Sequence, residues 1–153
     1  MLPGVTPPPM SPAPHRLQAS WRALGGFVSL GALGVLTIAS ALRPSADGHG
    51  THTQLGMPEC AWTVTVDLPC PTCGMTTSFA HAAGGDLLAS MQTQPMGLVL
   101  VIGTAAAFWA GLHALVAGVR LGPVLGTLTT RRAIWALATA AVGAWVYKII
   151  TWG

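Results

Sequence analysis

Formal charge is what this chain has least of. Only 7% of its 153 residues are Asp, Glu, Lys or Arg, against roughly 25% in an average soluble domain. A soluble protein of this length needs a charged exterior to stay dissolved, so that class is excluded. No basic stripe exists, so no nucleic-acid partner is expected. Cysteine is scarce too, with three in all, and no strand-helix-strand pattern surrounds them of the kind that frames a thioredoxin-like motif.

What is abundant is apolar sequence, 52% of the chain. It falls in three long runs, and at about 1.5 Å per residue each covers the roughly 30 Å hydrocarbon layer. The first, 23–42, follows His15, Arg16 and Arg22 and closes at Arg43-Pro44. The second, 96–119, opens after Gln94-Pro95 and ends at Arg120-Leu121-Gly122-Pro123. Proline suits such a start because its missing N–H has no intrahelical partner there. The third, 133–150, follows Arg131-Arg132 and carries Trp135, Trp145, Tyr147 and Lys148, with Trp152 beyond it. These read as interfacial aromatics and a lysine snorkelling to the headgroups.

The fold class is therefore an all-α membrane protein: three transmembrane helices plus a short amphipathic interfacial or re-entrant helix. Residues 1–22, rich in proline, form a disordered tail, and 23–153 form the membrane domain. Ala39-Ser40-Ala41 resembles a signal-peptide cleavage site, in which case the mature chain starts near Leu42. The run before it exceeds the usual length of a signal, so an uncleaved anchor is preferred. Gly103, Ala107 and Gly111 on the second span, and Ala136, Ala140 and Ala144 on the third, are faces for close helix approach.

The segment 43–95 is the outer loop and interfacial helix. Ala61 to Val66 alternates and is β-branched, which permits a short extended segment. From Gly74 to Met91 apolar residues recur at helical spacing, with Thr76, Thr77 and Ser78 as caps and Gly84-Gly85 as a weak point. All four carboxylates, Asp47, Glu59, Asp67 and Asp86, fall in this segment beside the single Arg43. Basic residues are retained on the cytoplasmic side, so the tail and the 120–132 link face inward. The segment faces outward, where oxidising conditions favour disulfides.

Candidate chemistry concentrates at Cys70-Pro71-Thr72-Cys73-Gly74-Met75-Thr76-Thr77. The pair Cys70 and Cys73 reads in three ways. It is a structural turn or disulfide tying the loop to the membrane surface, with Cys60 left over or joining one of them. It is a thiol redox pair whose pKa the following helix lowers. Or it is half of a metal site completed by Cys60 and one of His49, His52 or His81, with zinc as the metal. No other cofactor is expected. The preferred reading is the structural one, a protein without its own catalytic cycle acting as a scaffold or partner in the bilayer, as a homo-oligomer or with another membrane protein. His113, well inside the second span, is a polar intramembrane group with two readings, a proton or metal role and the preferred one, a neutral imidazole hydrogen-bonded to a neighbouring helix.

Cys70-Pro71-x-Cys73-Gly74-x-Thr76, followed by Phe79, Gly85-Asp86 and Pro95, resembles domain-of-unknown-function family 2752, small bacterial membrane proteins with a Cys-Pro-x-Cys-Gly-x-Thr-Arg signature. The similarity runs from about Cys70 to Leu100. It implies a multi-pass protein of the bacterial inner membrane and makes Pro71, Gly74, Thr76, Asp86 and Pro95 structural members of a motif. The family typically has Arg where this chain has Thr77, and Asn where it has Gln94.

Overall fold

The computed structural model describes residues 14–119, 122, 126–127 and 129–152, with side chains from residue 19 onward. All its regular structure among these residues is helical. The long helices are α1 (Pro14–Ala41), α5 (Pro95–Ala117) and α6 (Arg131–Ile150). Between α1 and α5 lie a 3-10 helix (Thr51–Leu55) and three short helices, α2 (Ala61–Val66), α3 (Met75–Ala83) and α4 (Leu87–Thr93). Ala19–Ala41, Pro95–Ala117 and Arg131–Ile150 are each long and apolar enough to cross a membrane. Phe27, Leu30, Ile102, Val116, Trp135 and Ile150 are exposed, an apolar exterior that lipid covers and water does not. The chain is a multi-pass membrane protein by these helices.

Helix ends follow local chemistry. Pro95 occupies the first turn of α5, and Gly118, at φ 69°, closes it by donating its N–H to the Ala114 carbonyl. Thr130 caps α6 by accepting the Ala133 N–H at 3.3 Å. α1 begins at Pro14 rather than at Ala23, so residues 14–22, expected as tail, are helical. Residues 1–13 and Arg120 lie outside the described residues.

α1 and α5 form the main pair. A Cβ on Gly25 would lie 2.7 Å from the Gly111 carbonyl oxygen and 2.7 Å from the Ala114 Cβ. One on Gly111 would lie 2.6 Å from the Gly25 carbonyl oxygen and 2.8 Å from the Ser29 nitrogen. The backbones touch, as small residues allow in lipid. Of the expected faces, Gly111 and Ala144 are buried, whereas Gly103 meets nothing within 4 Å and Ala136 and Ala140 are exposed. The contact on α5 steps by three from Gly111 to Ala114, a row that four-residue spacing overlooks.

The outer segment departs from its sequence reading in three places. Ala61–Val66 is the helix α2, because a lone extended segment has no edge to pair with, while a helical turn satisfies its own backbone. The helix expected over 74–91 is two helices. Gly85 at φ 90° turns the chain, the Asp86 N–H returns to the His81 carbonyl, and Asp86 then caps α4 by accepting the Ala89 N–H at 2.9 Å. Thr76, Thr77 and Ser78 are not caps, since the N-cap of α3 is Gly74.

α3 packs against both α1 and α5. A Cβ on Gly97 of α5 would lie 2.5 Å from Ser78 Oγ. Ser78 is fully buried, and its hydroxyl lies 2.8 Å from Ser90 Oγ and 3.1 Å from the Gln94 carbonyl oxygen. One hydroxyl thus ties α3 to α4 and to the start of α5.

Gly111→Ala should destabilise the folded protein in detergent by about 1–3 kcal/mol through overpacking against backbone, read as a lowered thermal midpoint. Gly103→Ala, which fills open space in a helix, should leave that midpoint unchanged or slightly raise it.

Candidate functional site

Cys70 to Gly74 is a tight turn in which the Cys73 N–H reaches the Cys70 carbonyl at 2.9 Å and the Met75 N–H reaches that of Thr72 at 3.1 Å. Gly74 sits at φ 83°, and a Cβ there would lie 2.7 Å from the Gly48 carbonyl oxygen. Both the backbone angle and the lack of space require glycine. The turn is held on its other sides by long-range bonds. Trp145 of α6 donates its indole N–H to the Pro69 carbonyl at 2.9 Å. Gln94 donates from Nε2 to the Pro71 carbonyl at 3.4 Å, and its Oε1 is buried without a partner.

The three cysteines come together. All are free thiols, Cys73 buried and Cys60 and Cys70 half-buried. Cys70 lies within interacting range of both Cys60 and Cys73. Thr63 stands between the outer two, its hydroxyl 3.6 Å from Cys73 Sγ and also facing Cys60. They line a cavity of about 630 Å³ whose walls also carry Asp47, His49, His52, Met57 and Glu59.

The two end thiols differ in electrostatics. The backbone N–H of Thr63, and then its hydroxyl, stabilise the Cys60 thiolate, with smaller help from Cys70 and the Trp62 N–H. They bring Cys60 from 9.0 down to about 7. Burial pushes the Cys73 thiol up, and a neighbouring negative charge on Cys70 adds to this, with the Thr63 hydroxyl opposing. A readily ionised thiol and a protonated one therefore face the same central cysteine.

The remaining predicted residues scatter. Thr76 lines the cavity, Pro71 supplies a carbonyl to Gln94, Asp86 caps α4 and Pro95 opens α5. His81 lies at the far end of α3 and is absent from the cavity wall that holds His49 and His52. Among the described residues no three His, Cys, Asp or Glu side chains converge to hold a metal ion, so the set Cys60, Cys70, Cys73 and His81 is not brought together as the four-ligand shell that zinc takes. His113 is exposed on α5 and has no hydrogen-bond partner among the described residues, against the neutral interhelical bond expected of it.

Several residues to which the sequence pattern assigns other roles complete the site. Thr77 is fully buried, its hydroxyl 2.8 Å from that of Thr51, which in turn accepts the Ser45 N–H. Lys148 is only 6% exposed and turns inward, donating to the Gly48 carbonyl at 3.3 Å rather than snorkelling outward. Tyr147 donates to the Gln92 carbonyl, and Trp152 lies 4.6 Å from the His49 ring. One signal points here: Lys148 is the sole formal charge between Ala133 and Ile150.

Residues 60–109 match the family model described as a protein of unknown function, DUF2752. The match begins at Cys60, so all three thiols fall within it, together with α2, α3, α4 and α5 as far as Trp109. No curated protein and no solved structure matches the chain.

Cys60 alkylation by iodoacetamide should rise with pH through a midpoint near 7. Thr63→Val removes the hydroxyl and should move that midpoint upward and slow the reaction at neutral pH by several-fold, since the thiolate is the nucleophile. Mass spectrometry of the labelled peptide reads this.

Proposed function

We propose that the protein is a membrane-embedded thiol–disulfide exchange module, working on the outer face of a bacterial inner membrane. The single observation that carries this reading is the meeting of three free thiols on one cavity, with Cys70 between a readily ionised Cys60 and a buried Cys73. A thiol with its pKa near ambient pH is the best attacking group. The Cys60 thiolate attacks one sulfur of a partner's disulfide, forming a mixed disulfide and releasing the other sulfur as a thiolate. Cys70 then attacks Cys60 Sγ, and the second partner sulfur leaves as a thiolate. Two cysteines of this chain are oxidised and one partner disulfide is reduced, with the proton of Cys70 passing to a leaving sulfur. The outward orientation is supported by Arg22, Arg131 and Arg132, which lie at the helix ends opposite the thiols.

A second, scaffold-only reading also has support. The cysteine turn is bonded to α5 through Gln94 and to α6 through Trp145, so its residues have architectural work independent of any reaction. Such a protein would meet lipid, another membrane protein or its own copy through the exposed face of α6, with no catalytic cycle.

Reduced protein in nanodiscs, incubated with oxidised glutathione and mapped by mass spectrometry, separates the two. Exchange predicts a Cys60–glutathione adduct followed by an internal Cys60–Cys70 bridge. Cys60→Ser should slow oxidation at neutral pH at least tenfold while leaving the thermal midpoint nearly unchanged. No internal bridge, with the cysteine variants altering only stability, would establish the scaffold. An impermeant maleimide labelling Cys60 in intact cells supports the outward orientation, and labelling only after lysis overturns it.

A further inference from the structure

Lys148 is the single lysine of the chain, lies near the end of a membrane-spanning helix, and is almost completely buried. Burying an ammonium is costly unless something compensates its charge. Its contacts are the Gly48 carbonyl at 3.3 Å and the Trp152 ring at 5.7 Å. No ion pair between it and a carboxylate is found among the described residues, and the acidic group whose charge it feels is the Cys73 thiol. A Cβ on Gly74, the residue following Cys73, would lie 3.5 Å from Lys148 Nζ. The lysine therefore meets the backbone of the cysteine turn from α6, beside the 47–49 stretch whose Gly48 carbonyl it bonds.

We infer that Lys148 is a positioning residue for the thiol site, supplying from α6 the positive charge that lets buried Cys73 ionise and take the disulfide over from Cys60. In that step the Cys73 thiolate attacks Cys70 Sγ of the Cys60–Cys70 bridge. The Cys60–Cys70 bond breaks, a Cys70–Cys73 bond forms, and Cys60 departs as a thiolate that takes up the proton Cys73 gave. No outside oxidant or reductant is consumed. The direction suits the two ends, because Cys60 is the better leaving group and is returned ready to attack again. The titratable and charged groups around Cys73 are then Cys70, beside the Thr63 hydroxyl, the residues Asp47, His49, His52, Glu59 and Cys60 of the shared cavity wall, and Lys148 of α6.

The transfer step rests on the exchange reading, but the charge effect does not, so the two fail separately. In a Cys60→Ser/Cys70→Ser background, the pH profile of Cys73 alkylation is compared for the native lysine, Lys148→Gln and Lys148→Arg. Gln keeps a donor for the Gly48 carbonyl and removes the charge. The expected result is a higher midpoint and a roughly tenfold slower reaction below it for Gln, as a shift of about one pH unit produces, with Arg restoring the native profile. A Gln variant with a lowered thermal midpoint but the native pH profile would show a merely structural lysine and overturn the proposal. Should the Gln variant fail to fold, acetylation of the already folded protein neutralises the same amine. An unchanged Cys73 profile after acetylation at Lys148, verified by mass spectrometry, overturns the proposal equally. If the profile shifts yet no Cys70–Cys73 bridge forms in the full-cysteine protein, the charge effect stands and the transfer step falls, whereas the exchange reading falls only if the Cys60–Cys70 bridge is missing as well.

Discussion

The contact between Gly74 and the carbonyl of Gly48 is the constraint from which the outer half of this protein follows. With no side chain on either residue, the cysteine turn and the loop after α1 approach backbone to backbone. That approach fixes where α3 starts and brings the 3-10 helix against it. It also leaves the Gly48 carbonyl where only a long side chain from α6 reaches it. A larger residue at Gly74 would separate these layers and open the thiol cavity.

Beneath this cluster the α1–α5 pair acts as a rigid base. Lipid offers no hydrophobic gain for bringing helices together, so association depends on packing and polar bonds. Gly25 and Gly111 give that contact in the bilayer, and Ser78, Ser90 and Gln94 give it at the boundary. α6 is joined differently. It has few contacts with α5 along its length and is held at its last turns, by Trp145, Tyr147, Lys148 and Trp152, to the loop that carries the thiols. The third helix serves the site more than it serves the bundle.

Much of the site was legible as composition and little of it as geometry. Cys70, Cys73 and Gly74 stood out because their spacing is local, and Cys60 because cysteine is rare here. His81 is near the cysteine turn in sequence, yet α3 carries it away from the cavity. The position of Lys148 near a helix end predicts outward snorkelling, the usual outcome there. The lysine turns inward because the Gly48 carbonyl, on a loop distant in sequence, accepts its hydrogen bond there.

Three apolar runs of membrane length, their turns at Pro and Gly, and the separation of basic from acidic residues along the chain were determined by the sequence itself, because each depends on local periodicity and on transfer between water and lipid. Which small residues touch, that Ala61 to Val66 coils rather than extends, and that three thiols share one cavity with a lysine behind them were decided only by the tertiary structure. Those outcomes depend on contacts between residues up to 100 positions apart, as between Gly48 and Lys148, and no local pattern encodes the distance between two backbones that meet only when the helices have packed.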